Sequence, residues 1–314
     1  MKFLLATLFL ALSSGWTPVA HAEPMLGAYG YVTPEWAARF RFNYTRGGFL
    51  PDRFPERYRN VLETHQRLAV DLIHWQPGLP AEEQVKDLGA QWDILLGEAK
   101  AWSVKSVHDP RVLCLLLDDF VACYYKMLRH GRNGPKLMLD LIAAAQSVNP
   151  ALPLGITLYE DEIGPTADEF LNGKQVVNLG AIRGRIGFVS FYLHNRTHVP
   201  QLREYVEAAR LRFPNAKIVG GIYTQDRRPY EAKYFGRSLD CPRAEEQALF
   251  RENLVQAWRL AQEGRLDGVE LFPASYGQEE DLRKRRNMTD EEYETMLSLR
   301  DIAADFLGRQ RQSK

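Results

Sequence analysis

The chain has 314 residues, with 40 lysines and arginines against 40 aspartates and glutamates, so its formal net charge is zero. With 45% hydrophobic and 25% charged residues, the composition is typical of a folded protein and excludes a disordered or collagen-like chain. The balanced charge also argues against a nucleic-acid-binding protein, because no excess of basic residues attracts the phosphate backbone.

Residues 1–22 are predicted to form a secretory signal peptide. Lys2 precedes an apolar run at residues 3–12 that is too short to span a bilayer, and residues 20–22 (Ala-His-Ala) match a small-x-small cleavage site. We therefore expect a periplasmic or secreted protein, with no stable membrane insertion once the signal is removed. Residues 23–314 would then form a single domain.

Short apolar runs in residues 23–314 predict seven strands. They are Gly27–Val32, Ala69–Trp75, Val112–Leu117, Leu154–Tyr159, Ile186–Leu193, Lys217–Tyr223 and Gly268–Phe272. Amphipathic stretches predict helices at Ala81–Trp102, Lys136–Val148, Pro200–Phe213, Pro242–Glu263 and Thr289–Leu307. Thr289 followed by Glu292 is a capping box. Residues 33–67 have no clear period, and residues 225–241 read as a long polar and aromatic loop.

The alternation of strands and helices predicts an α/β fold with parallel strands, most simply a (β/α)8 TIM-type barrel. The eighth strand lies between residues 170 and 185, where Val176-Val177 is the only hint, or the barrel is seven-stranded or distorted. No Gly-x-Gly-x-x-Gly turn follows a strand, which argues against a dinucleotide-binding sheet.

Carboxylates follow or interrupt three of the predicted strands. Asp118 and Asp119 end the third strand, Glu160 follows the fourth, and Glu270 lies inside the last. In a barrel the carboxyl ends of the strands build the active face, so these four are the candidate catalytic residues, with Glu160 the first candidate for the proton donor. The alternatives are a helix cap for the aspartates, a solvated acidic loop for Glu160, and a salt bridge to a buried arginine for Glu270.

Aromatic residues recur at the same strand ends, where tyrosine offers an apolar face for a sugar ring and a hydroxyl for its oxygens. Aromatic residues also favour strands for packing alone, so the recurrence beside acids is the informative feature. The candidate substrate-binding residues are Tyr29, Tyr31, Tyr159, Tyr192, His194, Tyr223 and Asp226.

The strand order and strand-end acids resemble the (β/α)-barrel glycoside hydrolases. The resemblance is carried by LLLDDF (residues 115–120), LYEDE (158–162), SFYLHN (190–195), GGIYTQD (220–226) and DGVELFP (267–273). It implies an enzyme that cleaves a polysaccharide or oligosaccharide by carboxylate acid/base catalysis, without a cofactor or metal. Such enzymes often place one acid at strand four and its partner at strand seven, which here are Glu160 and Glu270.

A second, local resemblance is to the polysaccharide deacetylases. His194 and His198 are spaced as in the His-x-x-x-His element of that family, and Asp118-Asp119 matches its aspartate pair. It implies a metal-dependent release of acetyl groups, although Phe120 stands where the family has glycine and a strand separates the two elements. A third alternative is a non-catalytic carbohydrate-binding barrel, in which the acids lie apart or in salt bridges.

Overall fold

The computed structural model describes residues 23–48, 61, 63–64, 66–72, 88–122, 124, 134–172, 175–238 and 240–312. The predicted signal peptide lies outside these residues, as do residues 73–75 of the second predicted strand and 81–87 of the first predicted helix. No helix in the described ranges is long and apolar enough to cross a membrane.

Eight parallel strands close into a barrel, which confirms the predicted fold class. Closure is complete because the first strand (Met25–Tyr29) pairs with the second (Tyr44–Gly47) on one side and with the last (Gly268–Phe272) on the other. The barrel strands are β1 (Met25–Tyr29), β2 (Tyr44–Gly47), β3 (Arg67–Asp71), β4 (Val112–Leu117), β5 (Leu154–Tyr159), β8 (Ile186–Tyr192), β9 (Lys217–Tyr223) and β10 (Gly268–Phe272).

Helices surround the barrel and bury the outer faces of its strands. They are α1 (Pro34–Phe40), α2 (Leu88–His108), α3 (Gly134–Ala145), α4 (Leu202–Arg212), α5 (Arg228–Phe235), α6 (Arg243–Gln262), α7 (Glu279–Arg286) and α8 (Asp290–Gln312). Short 3-10 helices cover Glu160–Glu162, Gly180–Arg185 and Arg196–Gln201. The predicted capping box begins α8, where the Thr289 amide donates to Glu292 and the Glu292 amide donates to the Thr289 hydroxyl.

Two strands that were predicted from unbroken apolar runs, β4 and β5, are buried on both faces of the sheet. Every residue of β4 and of β5 is buried, one side chain facing the barrel interior and the next facing the helices. This double burial explains why both strands read as unbroken apolar runs in the sequence.

The eighth strand is not where the sequence suggested. Residues 170–185 contain a separate antiparallel hairpin of β6 (Glu169–Asn172) and β7 (Gln175–Asn178), and Val176 is 52% exposed. The missing barrel strand is β2, in the stretch without a clear period. It escaped prediction because Thr45 and Arg46 are buried polar residues, which interrupt the apolar pattern.

Other elements also differ from their predicted bounds, among them β3 and the ends of α2, α3 and α8. The first strand begins and ends earlier than predicted, and Pro200 belongs to the 3-10 helix before α4 instead of the first α-helical turn. Residues 225–241 are not loop throughout, because α5 occupies their centre. Arg228 and Glu231 are the buried residues of α5, so its inward face is charged and lacks the apolar stripe that signals a helix.

Candidate active site

A cavity of about 550 Å³ opens at the carboxyl ends of the barrel strands. Its lining residues end or follow six strands, with contributions from α5 and α7: Tyr29, Asp118, Asp119, Thr157, Tyr159, Tyr192, His194, Tyr223, Gln225, Arg227, Tyr230, Phe272 and Arg286. Active sites of (β/α) barrels lie at this face. The cavity is therefore the candidate active site.

Both aspartates of the Asp118-Asp119 pair line this cavity. In a regular strand neighbouring side chains point to opposite faces, so only one of the two would face the barrel mouth if the strand continued through them. The strand ends at Leu117, and Asp119 adopts a left-handed conformation with φ of 44°. This turn of the backbone brings the second carboxyl to the same side as the first.

Asp118 is held by one cation and two hydroxyl groups. Its Oδ1 accepts hydrogen bonds from Arg46 Nη2 and Thr157 Oγ1, each at 2.8 Å, and its Oδ2 accepts one from the Tyr29 hydroxyl at 2.7 Å. The side chain is only 12% exposed. Asp118 is thus fixed in position and has a positive counter-charge beside it.

Asp119 has a different environment. Its Oδ1 accepts a hydrogen bond from the Tyr159 hydroxyl at 2.7 Å. Burial raises the pKa of Asp119, and the neighbouring charge of Asp118 raises it further. Two carboxyl groups that share one site do not readily ionise together, so burial and the neighbouring charge both favour the protonated form of Asp119.

Arg46 lies in the barrel interior beneath the cavity and contacts three carboxyl groups. Its side chain is fully buried, with Nε 2.9 Å from Asp71, Nη2 2.8 Å from Asp118 and Nη1 3.3 Å from Glu270. The guanidinium also lies over the Tyr29 ring, 3.9 Å from its centroid. Sequence reasoning missed Arg46, Asp71 and Thr157, because buried polar side chains leave no periodic signal.

The crowding of carboxyl groups around Arg46 changes the pKa of Asp71. Burial raises the pKa of Asp71 to about 7, repulsion from Asp118 adds to the effect, and the charge of Arg46 opposes it. Three carboxyl groups therefore share one guanidinium in the barrel interior.

Glu270 lies in the barrel interior and is not part of the cavity lining. It is fully buried, and besides Arg46 it accepts hydrogen bonds from the hydroxyls of Tyr44 at 3.0 Å and Tyr192 at 2.6 Å. The structure therefore places Glu270 in a salt bridge to a buried arginine, the alternative that the sequence left open.

Glu160 also lies outside the cavity lining, although it follows β5 directly. The chain enters a 3-10 helix there, and the carboxylate turns toward the segment after β8. Its two oxygens accept the backbone amides of His194 at 2.7 Å and Asn195 at 2.8 Å, and His198 Nδ1 lies 3.3 Å away. These contacts hold a loop in place and leave Glu160 badly positioned to donate a proton in the cavity.

Four of the predicted tyrosines do meet in the cavity. Tyr159, Tyr192 and Tyr223 pack together, with Tyr29 and Phe272 against them. The Tyr29 and Phe272 ring centroids are 4.4 Å apart, and those of Tyr192 and Tyr223 are 5.0 Å apart. The recurrence of aromatic residues at strand ends therefore marks one continuous aromatic wall.

Two predicted substrate-binding residues lie elsewhere. Tyr31 lines a separate, smaller pocket beside Arg46. Asp226 is not in the cavity lining, because its Oδ2 pairs with Arg228 Nη2 at 2.6 Å. Each sits close in sequence to a lining residue, but the chain turns away from the barrel axis after the strand ends.

The two histidines do not join the aspartate pair in a metal site. His194 lines the cavity, stacks on Tyr159 at 3.6 Å between centroids, and places Nδ1 2.9 Å from Asp161 Oδ1. His198 contacts Glu160 instead. A metal ion could be held by Glu160, Asp161 and His194, whose ligand atoms lie within 4.8 Å of one another, but the Glu160 oxygens already accept backbone amides.

Comparison with known proteins bears on the fold. No family model matches the chain, and no curated protein matches it. Among solved structures, a mutant class V chitinase from Cycas revoluta in complex with (GlcNAc)3 is 11% identical, with a TM-score of 0.50, and the match covers 90% of this chain and 99% of that chain. A GH10 protein from Paenibacillus barcinonensis is 12% identical, with a TM-score of 0.50 and coverage of 81% and 84%.

At these identities the likeness concerns the fold alone. The predicted resemblance to the (β/α)-barrel glycoside hydrolases is confirmed at that level. What the cavity does has to be argued from its own residues, since a barrel hosts many unrelated chemistries.

Proposed function

We propose that the protein hydrolyses a glycosidic bond of a polysaccharide or oligosaccharide in the cavity at the carboxyl ends of the strands. The observation that carries the proposal is the Asp118-Asp119 pair, two carboxyl groups in one cavity with opposite environments. Pairs of acids whose environments separate their protonation states are the usual signature of acid/base assignments.

Asp119 is the general acid. Its raised pKa keeps a proton available, and it donates that proton to the glycosidic oxygen as the bond to the sugar carbon breaks. Asp118, which pairs with Arg46, stabilises the positive charge that develops on the sugar and activates the water or attacks the carbon. This assignment replaces Glu160 and Glu270, whose oxygens are engaged elsewhere.

The aromatic wall supports a sugar substrate. Tyr159, Tyr192 and Tyr223 line the cavity beside the acid pair, and such rings offer apolar surface and hydroxyl groups to a sugar. The hydroxyls of Tyr29 and Tyr159 already bind the two aspartates, so the wall also positions the acids.

We propose in addition that the protein acts in the periplasm or outside the cell, because residues 1–22 have the pattern of a cleaved signal peptide. Fractionation of cells expressing the full chain, with N-terminal sequencing of the product, tests this. A chain that begins at Glu23 in the exported fraction supports it, and an uncleaved cytoplasmic chain contradicts it.

A polysaccharide panel tests the hydrolase. Purified protein is incubated with each polymer, and new reducing ends and free acetate are measured in the same reaction. The proposal predicts reducing ends without acetate. Acetate without chain shortening would instead support the deacetylase, and saturable binding without either product would support a carbohydrate-binding barrel.

A further inference from the structure

Two arginines line the cavity together with the acid pair, and in the described part of the chain neither guanidinium forms an ion pair with a carboxylate. We infer that Arg227 and Arg286 bind the negatively charged substituent of an acidic sugar, so that the substrate is an anionic glycan. The inference rests on the proposed function for the reaction, but the binding it describes can be measured without turnover.

Arg227 is built into the site. Its guanidinium carbon lies 4.0 Å from the ring centroids of both Tyr223 and Tyr230, so the cation is held between two aromatic faces. Nη2 donates to the His194 carbonyl at 2.7 Å. The residue is only 4% exposed, and its Nε is buried without a hydrogen-bond partner.

A buried guanidinium with an unused donor is costly unless a ligand completes it. The His194 carbonyl accepts one N–H group and the two rings contact the cation, but among the described residues no carboxylate balances its positive charge. An anionic group bound in the cavity would supply the missing partner, and arginine is well suited to bidentate binding of planar anions.

Arg286 provides a second cation from a different element. Its guanidinium carbon lies 5.2 Å from the Phe272 centroid, and Nη1 donates to Gln225 Oε1 at 2.6 Å. Gln225 and Phe272 both line the cavity. The side chain is solvent-exposed at the open side, where an incoming ligand would meet it.

Neighbouring arginines differ from Arg227 and Arg286, because each of these neighbours pairs with a carboxylate. Arg196 pairs with Glu246, Arg228 pairs with Asp226, and Arg237 pairs with Glu231 and Glu246. In the ranges that the structure describes, carboxylates thus pair with the arginines behind the cavity wall and with neither Arg227 nor Arg286. Of the acids in the cavity, Asp118 already has Arg46 as its counter-ion, and Asp119 accepts a hydrogen bond from the Tyr159 hydroxyl.

Binding measurements on matched polymers test the inference. Uronic-acid polysaccharides are compared with their carboxyl-reduced forms, which keep linkage and sugar stereochemistry but lose the charge. A third set carries sulfate esters, so that a carboxylate and a sulfate are distinguished. The Asp119→Asn variant is used in calorimetry because it prevents cleavage while keeping the cavity shape.

We expect at least one acidic polymer to bind about tenfold or more tightly than its reduced form, as a charged hydrogen bond contributes. Arg286→Gln should remove most of that difference, and Lys284→Gln, an exposed cation on the same helix, should leave it unchanged. Arg227→Gln should act like Arg286→Gln, with thermal unfolding used to confirm that it folds.

Three outcomes would overturn the inference: equal or tighter binding of the reduced forms, no binding of any acidic polymer, or a preference that survives both arginine substitutions. The hydrolase proposal is judged separately. Acidic polymers that bind but release no reducing ends with the wild-type chain would contradict hydrolysis and leave the anion site standing. Cleavage restricted to neutral polymers would support hydrolysis and contradict the anion site.

Discussion

Two buried clusters of charge lie near the cavity, and they are built differently. The barrel cluster consists of Arg46, Asp71, Asp118 and Glu270, so one guanidinium is shared by three carboxyl groups. The loop cluster consists of Arg196, Glu231, Arg237 and Glu246, with as many arginines as carboxylates. The first lies beneath the cavity floor and the second behind its wall.

The difference separates a reactive arrangement from a structural one. In the loop cluster, burial alone would raise the pKa of Glu246, but the charges of Arg196 and Arg237 lower it. In the barrel cluster, burial and mutual repulsion raise the pKa of Asp71 to about 7. The negative charge of Asp118 also adds to the effect of burial in raising the pKa of Asp119. The cations of the barrel cluster are thus too few to offset burial, whereas those of the loop cluster are sufficient.

The largest expected effect comes from removing the shared cation. Arg46→Met leaves three carboxyl groups without their counter-ion, and breaking a buried pair in this way typically costs about 3–5 kcal/mol. We expect the free energy of unfolding, measured in urea, to fall by about that amount, and hydrolysis to be lost in the molecules that remain folded. Arg251→Met, an exposed position on α6, is the matched control. Equal stability of the two variants would contradict the central place given to Arg46.

Removing an acid from the loop cluster should act on stability alone. Glu246→Gln leaves the buried guanidinium of Arg196 without its partner, so the free energy of unfolding should fall by about 3 kcal/mol. Hydrolysis per folded molecule should change little, because Glu246 does not line the cavity. Glu252→Gln, an exposed change on α6, should leave both quantities unchanged. A loss of turnover without a loss of stability would erase the distinction between the clusters.

The surplus charge of the barrel cluster should be visible in the pH dependence of stability. The folded pKa of Asp71, about 7, lies above its ordinary value of 3.8, so the protein stabilises the protonated form. That stabilisation is complete below about pH 4 and is lost as the pH rises through 7, at up to about 1.4 kcal/mol per pH unit. Urea unfolding between pH 5 and 7 should show a shallower decline for Asp71→Asn. Identical slopes for wild type and variant would contradict the raised pKa.

The smallest expected effect concerns the hydrogen bond to the proton donor. The Tyr159 hydroxyl favours the ionised form of Asp119, so Tyr159→Phe should raise the pKa of Asp119 further. The basic limb of the pH profile of kcat/KM should therefore move to higher pH. Tyr234→Phe, 57% exposed, serves as the control. A shift to lower pH would contradict the assignment of Asp119 as the acid.

The sequence predicted the fold where burial is uniform. β4, β5, β9 and β10 have the predicted bounds, because their apolar runs end where the strands end. β2 could not be found in this way, since its buried residues include an arginine whose partners come from three other strands. Its burial depends on closure of the whole barrel, which no local pattern records.

The site was predicted in part for the same reason. Asp118 and Asp119 follow an unbroken strand directly, so strand position alone placed them at the cavity. Glu160 occupies the equivalent position after β5, but its direction is set by the backbone amides of His194 and Asn195. Arg227 and Arg286 come from a loop and a helix far apart in sequence, and only the fold brings them to one cavity.

The most direct measurement is the release of reducing ends by the wild-type chain and by Asp119→Asn, on a polymer that the wild type cleaves. We expect kcat to fall by about 10²–10⁴-fold, the usual contribution of a general acid. Thermal stability should be at least that of the wild type, because burial disfavours the charge of Asp119. Asp305→Asn, an exposed change on α8, should be fully active. Wild-type turnover in Asp119→Asn would contradict the assignment of the acid pair as the reactive centre.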